Sequence, residues 1–164
     1  YLPYVVLAEV LTDGEASRLV ERLALRDRLV TDIGSYVGFM AEPFAVRDPT
    51  ALVVQAHLPP GGDADTVLRV IDEELDRIAT DGLTAGELAR TQARMAAHRL
   101  RETDAVLGRA LQLATLELQR GEPALLNELP RRIGEVTEEQ IRAAAAALRP
   151  HRRASVVVEP GAGR

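Results

Sequence analysis

The imidazoles available for metal binding or proton transfer are His57, His98 and His151. A zinc site gathers several close nitrogen, sulfur or carboxylate ligands. His98 precedes Glu102 by four residues, so the two share a helix face and could form half of such a site. A solvated polar pair is the simpler reading. His57 sits in the β-rich run "TALVVQAHL" with no acid near it in sequence and reads as a strand-face or edge histidine. His151 lies in the basic turn "RPHRRAS" and carries no catalytic weight. Ser17, Ser35 and Ser155 have no G-x-S-x-G frame around them. "PPGGD" and "EPGAGR" lack both the P-loop lysine and the dinucleotide-binding spacing. The acidic runs Asp72-Glu73-Glu74 and Glu138-Glu139 fit the polar sides of helices. Arg131-Arg132 and Arg152-Arg153 could bind an acidic partner, but read first as a solvated helix end and a strand edge. The residues alone assemble no self-contained active site.

The composition narrows the class. A chain of 164 residues with 46% hydrophobic content is long enough for one domain with a sizeable core. A net charge of −5 argues against a nucleic-acid surface. All 20 basic residues are arginine, a lineage bias that points to a bacterial source. No cysteine is present, which excludes disulfides and thiolate sites and suits a cytoplasmic chain. No apolar run approaches the roughly 20 residues that span a bilayer. The chain opens on Tyr1 rather than Met, so the numbering is expected to start inside a longer polypeptide, of which 1–164 is a cut piece or a processed half.

The elements that would position these residues follow from periodicity. Residues 1–12 read as an amphipathic helix ended by Asp13-Gly14. Ser17 is a candidate cap for a second helix with Leu19, Leu23 and Arg26 on one side. Val30–Met40 and Thr50–Leu58 read as strands, with a loop at Glu42-Pro43 and Arg47-Asp48-Pro49 between them. Asp63 or Asp65 caps a helix through Val67, Ile71, Leu75 and Ile78. Thr84 with Glu87, and Thr137 with Gln140, form capping boxes. The first opens a helix to about Glu102, with further helices over 105–119 and 123–133. The second opens one through the alanines 143–147 to Arg149-Pro150. "RASVVVEP" reads as a last strand before a frayed tail, Gly161–Arg164. Two strands, several helices and a returning strand predict an α+β fold, an antiparallel sheet covered on one face by helices. The helices Val67–Ile78, Leu88–Leu100 and Val106–Leu118 are expected to do the covering.

Three stretches, in order, resemble blocks of the pitrilysin-type zinc metallopeptidases, the family of insulin-degrading enzyme and mitochondrial processing peptidase. "GEASRLVERLALRDRLVTDIGSYV" is similar to the family's G-x-x-S-R-L-[FY]-x-x-L-R-x-x-x-x-L-x-Y block, matching at Gly14, Ser17, Arg18, Leu19, Leu23 and Leu29. "DGLTAGELARTQARMAAHRL" resembles its G-[VL]-[ST]-x-x-E-L helix, and "IGEVTEEQIRAAAAALRPHRRASVVVEP" its ending. The set covers nearly the whole chain. The family's zinc domain carries H-x-x-E-H; this sequence has none, so it resembles the second, non-zinc domain.

The resemblance implies a processing-peptidase-like α+β domain that helps enclose a peptide chamber. It would pair with an N-terminal zinc domain and a homologous subunit, as a dimer. Zinc would belong to that other domain or subunit, with no cofactor, catalytic residue or metal ligand in this chain. Some second domains of the family also supply an Arg and a Tyr, seven apart, that hold substrate over the zinc. Those positions fall on Ala24 and Thr31. No shifted pair exists: Arg18, Arg22, Arg26 and Arg28 are followed seven residues later by Leu25, Leu29, Ile33 and Ser35. An alanine cannot donate to an oxyanion, so the substrate-holding pair is expected from elsewhere. A structural subunit like the core proteins of the bc1 complex is the alternative. A stand-alone metal enzyme built on His98 and Glu102 is a distant third.

Overall fold

A computed structural model describes residues 1–38, 43–45, 50–84 and 86–159. Helix α1, Leu2–Thr12, lies at its centre. The sequence predicts one apolar stripe there. Instead Val5, Val6, Leu7, Ala8, Val10 and Leu11 are all buried, as expected of a helix covered on nearly every side. One side rests on strand β1, Asp32–Val37, and others touch the later helices.

Between α1 and β1 the chain forms a π-helix, Val20–Arg26. Its wider turn is visible where Asp27 N donates to Arg22 O at 2.9 Å, five residues back. Leu19 and Leu23 are fully buried, while the Arg26 side chain is 58% exposed. Regular α spacing would have put all three on one side; the extra residue per turn takes Arg26 off it. Ser17 does not cap this helix, because its hydroxyl donates back to Gly14 O at 2.6 Å.

β1 pairs antiparallel with β2, Leu52–His57, so that Asp32 faces His57 and Val37 faces Leu52. Both strands are shorter than their sequence runs. Phe39 and Met40, and the expected loop at Glu42 and Arg47-Asp48-Pro49, lie outside the described residues. Ser35 ties β1 to α1: its amide donates to Thr12 Oγ1 at 2.7 Å and its hydroxyl to Ala8 O at 2.8 Å.

Five helices follow: α2 Ala64–Asp81, α3 Glu87–Asp104, α4 Val106–Arg120, α5 Leu125–Gly134 and α6 Glu138–Ala147. Asp63 caps α2 as expected, accepting from Asp65 N at 3.0 Å. Thr137 and Gln140 form the complete reciprocal box of α6. The Thr84 box is only half formed. The Glu87 carboxylate accepts from Thr84 N and Oγ1, both at 2.9 Å, while Glu87 N donates to Thr84 O rather than to the hydroxyl. Gly82 ends α2 at φ 79°, ψ −154°, and a Cβ there would sit 2.1 Å from Glu138 Oε1. Only glycine fits, and the freed Leu83 amide donates to that carboxylate.

The fold is α+β, a two-stranded antiparallel sheet under α1 with the other helices behind. The covering layer differs from the expected one. α1 lies on the sheet, while α2 packs on α6, and α3 on α4 and α5. Only Leu116 of α4 is buried, since that helix sits at the outside of the helical layer. The expected strand "RASVVVEP" is also absent through Glu159. Val156 and Val158 are each 87% exposed, because no neighbouring strand among the described residues supplies hydrogen bonds. Pro160 and the tail Gly161–Arg164 lie outside the described residues.

Candidate functional site

The segment Gly14–Val30 is fastened at three levels to the helices behind it. At its start Gly14 has φ 86°, and a Cβ there would lie 2.6 Å from Arg94 Nη1 of α3. Arg94 comes this close because it pairs with Asp13 Oδ2 at 3.0 Å. One turn on, Arg18 spans the gap to the beginning of α3. Its Nε donates to Glu87 Oε1 at 2.8 Å and its Nη2 to Glu87 Oε2 at 2.9 Å, a two-pronged pairing that suits guanidinium and carboxylate planes. Next, Arg22 reaches α2: Nη1 donates to Glu74 Oε1 at 2.7 Å and Nη2 to Glu73.

Glu74 is the deepest acid of this network. It is 4% exposed and also accepts from Arg77 Nη1 at 3.0 Å, with Arg18 Nη1 at 3.9 Å. The sequence reading places Asp72-Glu73-Glu74 on a solvated helix side. Helical rotation turns Glu74 inward, where the arginines of the preceding segment meet it. Arg22 Nε has no hydrogen-bond partner and lies 3.9 Å from Asp27 Oδ2. The network is paired and inward-facing, so its chemistry is fastening rather than catalysis.

Burial alone would raise the Glu87 carboxyl. Hydrogen bonds from Arg18 and Thr84, with the Arg18 charge, outweigh it and hold the group at about 2 against an ordinary 4.5. A depressed carboxyl stabilises the fold above its unfolded value, and that stabilisation drains away as pH falls from 4.5 toward 2. Glu87→Gln should therefore lower stability at pH 7 by about 1–2 kcal/mol, after allowance for solvent at its open side. It should cost little near pH 2. Urea midpoints for the two proteins at both pH values measure this, and a constant gap would contradict it.

Ala24 and Thr31, the positions where the resemblance would put a substrate-holding pair, stand on the same segment. Ala24 is a half-buried methyl in the π-helix, packed against the core. Thr31 precedes β1, and both its amide and its hydroxyl donate to His57 O, at 2.7 and 3.1 Å. The hydroxyl is thus spent on closing the strand pair.

The histidines end in ordinary surroundings. The register brings Asp32 to His57, Oδ2 to Nδ1 at 3.4 Å, a pair that sequence distance concealed. Both are well exposed. His98 Nε2 lies 3.1 Å from Glu102 Oε1, and Arg99 holds the other oxygen at 3.0 Å. His151 is exposed in a 3-10 turn, Pro150–Arg152. Nearby on α1, burial and then the charge and hydrogen bond of Asp13 raise the Glu9 carboxyl. Among the described residues no group of three or more His, Cys, Asp or Glu could hold a metal ion. Arg132 pairs with Glu128 of its own helix, Arg131 with Glu135 just past the helix end, and Arg153 with Asp72. No helix among the described residues is long and apolar enough to cross a membrane.

Comparison with known proteins places this geometry. The family model for the "Peptidase M16 inactive domain" matches residues 1–95, which hold the fastened segment and its partners on α2 and α3. No protein of curated function matches. Three solved structures share the fold at TM-scores of 0.73–0.75. A protease from Helicobacter pylori is 16% identical, over 89% of this chain and 34% of that one. A "putative zinc protease" from Bordetella pertussis Tohama I is 20% identical, over 90% and 77%. The "inactive peptidase domain of a putative zinc protease" from Bordetella parapertussis is 18% identical, over 90% and 74%. This chain spans about a third of the Helicobacter protein.

Proposed function

Since the chain belongs to the Peptidase M16 inactive-domain family, we propose that it is the non-catalytic C-terminal domain of a pitrilysin-type zinc metalloprotease. Its task is to help enclose the peptide-binding chamber, to support an N-terminal zinc domain, and to pair with a homologous subunit. Zinc sits in that other domain or subunit, and the substrate is a peptide. The cysteine-free composition suits a cytoplasmic setting.

The observation that carries this reading is the use made of the Gly14–Thr31 segment. Ala24 offers no donor and the Thr31 hydroxyl is committed to His57 O. Arg18 and Arg22, its strongest donors, are turned inward onto Glu87 and Glu74. A segment so engaged is a wall and a brace. The Arg and Tyr that hold substrate then come from the homologous subunit.

The test is reconstitution. The H-x-x-E-H domain of the same polypeptide is assayed for peptide hydrolysis without this chain, with it, and with a homologous subunit added. Activity that rises only when this chain is included supports the reading. Full activity of the zinc domain without it overturns the reading. Persistent inactivity of the complete mixture overturns it too, in favour of an assembly subunit.

A further inference from the structure

The serines of the chain are Ser17, Ser35 and Ser155, and the first two have committed their hydroxyls. Ser17 Oγ donates to Gly14 O at 2.6 Å and Ser35 Oγ to Ala8 O at 2.8 Å. Ser155 has no hydrogen-bond partner among the described residues. It lies in residues 153–159, a stretch that is exposed throughout and belongs to neither helix nor strand. Arg153 begins that stretch with extended backbone, φ −95° and ψ 140°. Two ion pairs to α2 flank the 3-10 turn just upstream. Arg149 Nη1 lies 3.6 Å from Asp76 Oδ1, and Arg153 Nη1 lies 2.5 Å from Asp72 Oδ1. The stretch is thus anchored at its start and bare beyond it. Ser155 also follows two adjacent arginines, Arg152 and Arg153. The other such pair, Arg131-Arg132, meets no serine or threonine before Thr137, whose hydroxyl caps α6.

We propose that Ser155 is a phosphorylation site, recognised by a serine kinase with an acidic substrate cleft. Three features select it. Arg152 and Arg153 stand three and two residues before the serine, and their forked cations pair with carboxylates lining such a cleft. Val156 follows it, 87% exposed, and offers an aliphatic side chain to an apolar pocket. The backbone is already outside any helix or strand, so a transferase takes it as an extended segment without unfolding an element. In the transfer, Ser155 Oγ bonds to the γ-phosphorus of a nucleoside triphosphate. The bond from that phosphorus to the bridging oxygen breaks, the nucleoside diphosphate leaves, and the hydroxyl proton passes to the carboxylate base of the kinase.

The product changes the anchor. Side chains two apart in an extended chain share a side, which sets the phosphate beside the Arg153 guanidinium. The phosphate carries a charge of about −1.5 to −2 and three acceptor oxygens, against the single charge of the Asp72 carboxylate. Arg153 therefore turns from Asp72 to the phosphate, and the stretch is released from α2 beyond the Arg149–Asp76 pair.

The test treats the full-length protein with a purified arginine-directed serine kinase and magnesium ATP, and locates the phosphate by fragment mass. A peptide of residues 149–159 is the unfolded reference. Ser155 in the folded protein should be modified within about threefold of the peptide's rate, because no local opening is needed. Arg152→Ala and Arg153→Ala should each slow the reaction on the order of tenfold, through loss of one charge-assisted pairing. Both arginines are exposed, so these variants keep the wild-type circular dichroism. The side-chain Nε–H resonance of Arg153 reports the anchor. Asp72→Asn should shift it in the unmodified protein and leave it unmoved once Ser155 is phosphorylated. A folded protein modified more than about a hundredfold slower than the peptide overturns the proposal, as does a rate indifferent to both arginines. An Arg153 resonance that ignores phosphorylation overturns the release from α2. The reconstitution assay uses unmodified protein, so the domain's role and the modification fail separately.

Discussion

Glu74→Ala should destabilise the domain by about 3–5 kcal/mol, the range for breaking a buried ion pair by removing one partner. Glu74 is 4% exposed and takes hydrogen bonds from Arg22 and Arg77. The Arg22 side chain is only 12% exposed and its Nε already lacks a hydrogen-bond partner. Without Glu74, that guanidinium is left with Glu73, which it shares with Arg69, and a distant Asp27. Glu74→Gln keeps the volume and one acceptor, so it should cost about half as much. Urea unfolding measures both, and an unchanged slope would confirm that the loss belongs to the folded state. A loss below about 1 kcal/mol for Glu74→Ala would mean that Arg22 reaches water, and that the segment is not fastened as described.

Leu7→Ala should cost about 3–5 kcal/mol for a different reason. Leu7 has no exposed surface and lies in α1, between the sheet and the helices behind. Removing its branched end leaves a cavity that neither layer can fill without moving the other. The same truncation at Leu118 of α4, 84% exposed, should change stability by no more than about 0.5 kcal/mol. Thermal unfolding of the two variants gives the comparison. Similar losses would mean that α1 is not the shared core.

Local signals in the sequence located most helices, because their evidence is local. Asp63 and the Thr137–Gln140 pair cap where their spacing predicts. The family resemblance, and the fold it implied, rested on ordered short blocks, and the match over residues 1–95 agrees with it. What sequence did not reveal depends on distance. Arg18 and Glu87 each stand in a quoted block, yet nothing local says that they meet across 69 residues. Glu74 read as solvent-facing because two acids precede it, while the arginines that bury it come from another element. Asp32 and His57 became neighbours only through strand register. The valines before Glu159 have strand-forming side chains but no strand beside them among the described residues. The π-helix was hidden too, since one added residue in a turn leaves the apolar residues in place and shifts only their angle.

The most direct test of the central claim, that this domain is not the zinc-bearing one, is metal analysis of the purified chain after equilibration with zinc and removal of the excess. The expected result is less than about 0.1 zinc per chain, with no change when His98 is replaced by alanine. About one zinc per chain, lost on His98→Ala, would contradict it and return His98 and Glu102 to the centre of the chemistry.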